Sequence, residues 1–192
     1  MNITDIDWRT GDQVELDGSL KEMVTYTSLL IDMVHARVDD DAFPKIVEFV
    51  FNLKETAIAY MDDMQVEQHL KYCALWKATF KTLSGELQLL LDKATRNYKV
   101  WWARVYETAK KELLAEQRKE IKDGYRTKGG YGNITKDDIT NRVLLTQSFA
   151  WANWNAQLDD IKRTVLFFEA LTDDLKHRSY TLCNVNKEKG QF

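Results

Sequence analysis

The sequence predicts an all-α protein, a small N-terminal helical bundle over residues 1–85 followed by a long antiparallel helical hairpin over 86–184. Three observations carry this. The 192 residues include one proline, so helices can run long. Four of the eight glycines fall between Gly124 and Gly132, which concentrates chain punctuation at one place. Apolar residues recur every three or four positions, the period of a helix with one buried face.

Ser19-Leu20-Lys21-Glu22 reads as a capping box that opens the first helix, in which serine accepts from a first-turn amide and glutamate from the serine amide. Leu20, Met23, Val24, Thr27, Leu30, Ile31 and Val34 give it one face, ending near Val38. Asp39-Asp40-Asp41 makes a turn and places acids where the next helix leaves amides unpaired. The triplet lacks the alternating ligands and central glycine of a calcium loop. Phe43, Ile46, Val47, Val50, Leu53, Ala57, Ile58 and Met61 form the face of that second helix. A third begins near Asp63 and passes through Leu70, Cys73, Leu75, Trp76 and Phe80 to Ser84-Gly85, where a kink or short break is expected.

From Glu86 the stripe Leu87, Leu91, Ala94, Tyr98, Trp102, Val105, Ala109 and Leu113 persists to about Asp123, roughly 55 Å of helix at 1.5 Å per residue. The glycine-rich turn spans 124–133. Thr135, followed by Lys136-Asp137-Asp138, caps a returning helix with Val143, Leu144, Trp151, Trp154, Leu158, Ile161, Val165, Phe168, Leu171, Leu175 and Leu182 on its apolar side. Two such helices fold back on each other, and the apolar area left over seeks further chains. Trp101, Trp102, Trp151, Trp154, Phe167, Phe168, Leu175 and Tyr180 are the expected hairpin or oligomer core, and 185–192 the fraying tail.

Charge is unevenly spread. The whole chain is −3, yet 93–128 holds 11 Lys or Arg against 5 acids, while 1–92 holds 8 basic and 17 acidic residues. Lys93, Arg96, Lys99 and Arg104 meet no acid before Glu107, and Tyr98, Trp101, Trp102 and Tyr106 are interleaved with them. Lysine and arginine neutralise phosphates and rings stack on bases, so the segment points to a single-stranded nucleic acid. The opposing interpretation is a solvated helical face laced by pairs four residues apart, as Glu116 and Glu120 among Arg118, Lys119 and Lys122 suggest. The turn adds Tyr125, Arg126, Lys128 and Tyr131. Tyr98 and Trp102, on the stripe, fit the core better than a base platform.

Nothing in the sequence points to catalysis. His35, His69 and His177 are scattered, Lys128-Gly129-Gly130-Tyr131-Gly132 lacks the elements of a phosphate loop, and Asp159-Asp160 and Asp173-Asp174 point apart around a helix. No metal or cofactor is expected. Cys73 and Cys183 lack ligand spacing, fall in apolar patterns, and fit reduced thiols in a cytoplasmic protein. Met1 to Arg9 has no signal-peptide character and no apolar run reaches the roughly 18 residues of a membrane span.

The run Phe167-Phe168-Glu169-Ala170-Leu171-Thr172-Asp173-Asp174-Leu175-Lys176-His177-Arg178-Ser179-Tyr180-Thr181-Leu182 resembles the ending of the UvsY-type recombination mediators of tailed phages. That ending is an Arg, a small residue, an aromatic, any residue and an aliphatic, matched by Arg178, Ser179, Tyr180, Thr181 and Leu182. Leu91 to Lys99 is similar to the family's basic, aromatic first hairpin helix, and 124–133 to its glycine-containing turn. The resemblance covers about 86–184; the long acidic N-terminal part departs from it. It implies a non-enzymatic homo-oligomer that holds single-stranded DNA and helps load a recombinase in competition with the single-strand binding protein, in the host bacterial cytoplasm if phage-encoded. Arg96, Lys99, Arg104, Lys110 and Lys111 are then the expected phosphate contacts, with Tyr125, Arg126, Lys128 and Tyr131 engaging the strand. The alternative from another class is a helical protein-binding adaptor or inhibitor, with the acidic region docking on a partner and the basic helix pairing with it.

Overall fold

The computed structural model describes residues 18–38, 43–46, 48, 58, 60–124 and 133–189, and every regular element among them is helical. The elements are α1 (Gly18–His35), α2 (Asp63–Lys122, 60 residues), α3 (Lys136–Thr146) and α4 (Ser148–Lys189, 42 residues), with residues 43–46, 48 and 58 also helical. The protein is all-α, and α2 runs antiparallel to α3 and α4. Its described residues pack as two units that do not follow sequence order. One gathers 18–25, 93–124 and 133–158; the other gathers 26–38, 43–46, 48, 58, 60–92 and 159–189.

Seven-residue spacing explains how helices this long are held. Val66, Cys73, Phe80, Leu87, Ala94 and Trp101 are buried on α2, and Trp154, Ile161, Phe168, Leu175 and Leu182 on α4, each set seven residues apart. A strict heptad keeps one seam facing a partner helix and is the signature of coiled-coil packing. Beyond Trp101 the spacing relaxes to four, through half-buried Val105 to buried Ala109.

In the unit of residues 60–92 and 159–189, Cys73 lies beside Ser179, and the Phe80 and Phe168 rings lie 5.4 Å apart. Residue numbers rise on one helix as they fall on the other, which fixes the antiparallel sense. The end of α1 is tied to this pair by the Arg37–Glu86 ion pair, and the 43–46 turn by Phe43, whose ring is 6.0 Å from that of Phe167. In the other unit Tyr98 and Trp101 lie 6.0 and 6.3 Å from Trp154. Ala109, Ile139 and Val143 form a cluster covered by Trp102, Val105, Tyr106, Leu113 and Ile134, and Arg142 pairs with Glu116.

Several expectations are corrected. α1 is described from Gly18, and the side chain of Ser19, expected as its cap, lies outside what the structure describes. Among its described side chains Tyr26 and, past its end, Val38 are buried, Leu30 and Val34 of the expected face are half-buried, and Ile31 is exposed. No break occurs at Ser84-Gly85; α2 runs through, and the hairpin's first arm begins at Asp63, not near Glu86. A mid-helix glycine costs about 1 kcal/mol. Phe80, Leu83 and Leu87 are wholly buried around it, and each contributes roughly 1.5–3 kcal/mol, so packing wins. An added Cβ at Gly85 would meet nothing within 4 Å. Gly85→Ala should therefore stabilise the protein by about 1 kcal/mol, read as a raised denaturant midpoint at unchanged slope.

The returning helix is also divided. Gln147, at φ −124° and ψ 24°, leaves helical geometry between α3 and α4. The Thr146 hydroxyl donates to the Arg142 carbonyl at 2.9 Å, the local side-chain bonding that competes with a helix ladder. Thr135 is a true cap: its hydroxyl accepts from the Asp138 amide, and the Asp138 carboxylate accepts from the Thr135 amide. Those bonds from Thr135 hold the Asp138 carboxyl below the usual carboxylate range. α4 stays helical to Lys189, into the stretch expected to fray. Of the core residues, Trp101, Trp154, Phe168 and Leu175 are buried and Trp102 is half-buried. Trp151, Phe167 and Tyr180 are exposed at 38%, 44% and 60%, because each lies off the seven-residue seam.

Candidate nucleic-acid interface

Arg96, Lys99, Arg104, Lys110 and Lys111 all lie on α2 within one packed unit, and all are exposed. The buried seam dictates this, since Ala94, Trp101 and Ala109 face the partner helix and the cations occupy the remaining turns. Lys110 pairs weakly with Glu107 at 4.0 Å. Among the described residues Lys93, Arg96, Lys99, Arg104 and Lys111 form no ion pair. From Lys93 to Lys111 the cations span about 27 Å at 1.5 Å of rise per residue. Tyr125, Arg126, Lys128 and Tyr131 lie outside the described residues.

The opposite helix supplies a feature that the sequence reading missed. Residues 143–158, the stretch that packs beside about 95–109, contain no charged residue, in a chain that is 30% charged. Burial does not account for this. Leu145, Thr146, Ser148, Phe149, Trp151, Ala152 and Ala156 are all exposed. Between Lys93 and Tyr106 α2 carries no acid, and the facing arm carries none between Val143 and Leu158, so cations predominate from Arg96 to Arg104, with Asp92 and Asp159 bounding the stretch. The signal was visible as a 16-residue run without Asp, Glu, Lys, Arg or His, once the two arms were set antiparallel.

Elsewhere the charge is mixed. A groove of 790 Å³ between α2 and α4 in the other unit is lined by Lys77, Lys81 and Lys176 but also by Glu169 and Asp173. Such a wall attracts an anion less than the unopposed stretch does. Cys73 is buried, and burial pushes its thiol up, leaving it a weak nucleophile; Cys183 is exposed and does not belong to the apolar seam in which it was expected. Among the described residues no three His, Cys, Asp or Glu side chains gather as a metal site, and no described helix is long and apolar enough to cross a membrane.

No family model, curated protein or solved structure matches this chain.

Proposed function

We propose that this chain is a non-enzymatic, self-associating single-stranded-DNA-binding protein that acts as a recombination mediator, loading a recombinase against competition from the single-strand binding protein. The observation that carries the DNA-binding part is the set of exposed cations Lys93, Arg96, Lys99 and Arg104, with no acid among them on α2, beside the uncharged run 143–158 of the opposing arm. Each cation that neutralises a phosphate releases a condensed counterion, and the gain in ion entropy drives binding without reference to base sequence. The mediator role comes from the likeness of 86–184 to the UvsY-type proteins.

Titration of a labelled single-stranded oligonucleotide at several salt concentrations tests the reading. Four contacts at about 0.7 each give a log affinity against log salt slope near −3. No binding at low salt, together with a protein partner recovered from host extract, would establish the adaptor reading instead.

Self-association rests on apolar side chains that one chain leaves in water: Leu75 and Leu89 on α2, and Leu166, Phe167 and Tyr180 on α4. Light scattering at micromolar concentration should return a mass above one chain. A monomer at every concentration would remove the oligomer from the proposal.

A further inference from the structure

We infer that Trp151 is a stacking platform for the bases of a single strand whose phosphates lie along α2. The inference deepens the nucleic-acid reading and rests on it. Trp151 is 38% exposed, and among the described residues it makes no ring contact, unlike Trp101, Trp102 and Trp154. Its backbone is nevertheless fixed. The Trp151 amide donates to the Gln147 carbonyl at 2.9 Å, across the division between α3 and α4, and its own carbonyl accepts from the Asn155 side chain at 2.8 Å. A ring held out from a pinned backbone loses little entropy when a base covers it.

Its position matches the cations. Tyr98 and Trp101 set the level of Trp154, and Trp151, three residues earlier on an antiparallel helix, falls about 4.5 Å along, level with Trp102 to Arg104. In an antiparallel pair equivalent flanks of the two helices adjoin. Trp151, three residues before the seam residue Trp154, shares its flank with Tyr98, four after Ala94, and Trp102, one after Trp101. Lys99, Trp102, Tyr106 and Lys110 continue that flank along α2 at spacings of three, four and four, so cations bracket half-buried rings. A strand on this flank meets a cation for its phosphates and an exposed indole for its bases.

A second copy of this chain is the competing occupant, and charge decides against it. A two-fold interface lays the same patch on itself, which would set Lys99 against its own copy with no acid between 93 and 106 to offset it, whereas Lys110 is partly offset by Glu107. A polyanion removes that repulsion. The absence of charge from 143–158 also fits a strand, since an acid there would repel phosphate while the uncharged helix leaves ring faces accessible.

The test uses the full chain and two probes of equal length: an oligothymidylate and a matching strand of abasic sites, which keeps the phosphates and removes the bases. Trp151→Ala should weaken oligothymidylate binding about tenfold or more and leave the abasic strand and the salt slope unchanged. Trp151→Phe, which keeps a ring, should recover most of the loss. Unchanged affinity of Trp151→Ala for oligothymidylate, or equal losses on both probes, would overturn the inference while leaving the phosphate row in place. A lower mass of Trp151→Ala in light scattering would assign the ring to a contact between copies and also overturn it. Failure of the unaltered protein to bind either probe would remove the nucleic-acid reading itself.

Discussion

Replacing Trp154 with alanine is expected to destabilise the fold by about 3–5 kcal/mol, the range for truncating a buried aromatic side chain. Trp154 is 1% exposed, in ring contact with Tyr98 and Trp101, and sits at one end of the α4 seam. Nearby atoms cannot collapse into the space an indole leaves, because the neighbours are themselves rings fixed by a long helix. Trp151→Ala, three residues away on the same helix, should cost less, since part of its ring already meets water. Guanidinium denaturation followed by circular dichroism, at one fixed protein concentration, separates the two. Equal losses, or a larger loss at Trp151, would mean that α4 turns a different face to α2.

That contrast is also where sequence reasoning met its limit. Neighbouring residues on a helix point about 100° apart, so the pairs Trp101-Trp102 and Phe167-Phe168 each hold one seam residue and one flank residue. A stripe drawn at three-or-four spacing accepts either. Counting strictly by sevens resolves them: from Val66 the register arrives at Trp101 and not Trp102, and back from Leu182 it arrives at Phe168 and Trp154 and not Phe167 or Trp151. The fold class, the hairpin and the Thr135 cap were legible because periodicity and capping chemistry are local. The continuity of α2 through Gly85 was not, because it depends on burial of Phe80, Leu83 and Leu87 against residues far along the chain. Exposure of the cations could be read from their spacing against the apolar stripe. The uncharged run 143–158 beside them could be recognised as part of the same surface only after the arms were paired.

Replacing Arg96, Lys99 and Arg104 together with glutamine is expected to flatten the dependence of log affinity on log salt by about 2 units, three contacts at about 0.7 each. Glutamine keeps the helix propensity close to that of arginine and lysine, and all three side chains are exposed, so circular dichroism should be unchanged. The slope isolates the mechanism. A side chain that only keeps the helix soluble, or lies against solvent on the far side of a bound strand, contributes nothing to counterion release, so its loss cannot alter the salt dependence. Lys93 and Lys111 remain, unpaired among the described residues, so the variant should bind weakly with a shallow slope and still bind. The Glu107-linked Lys110 provides an internal comparison: it already shares its charge with a carboxylate 4.0 Å away, and Lys110→Gln should change the slope by less than any single member of the row. An unchanged slope and affinity in the triple variant would take α2 out of the binding surface. The uncharged run 143–158 would then require a different occupant, and the protein-docking adaptor would be the reading to pursue.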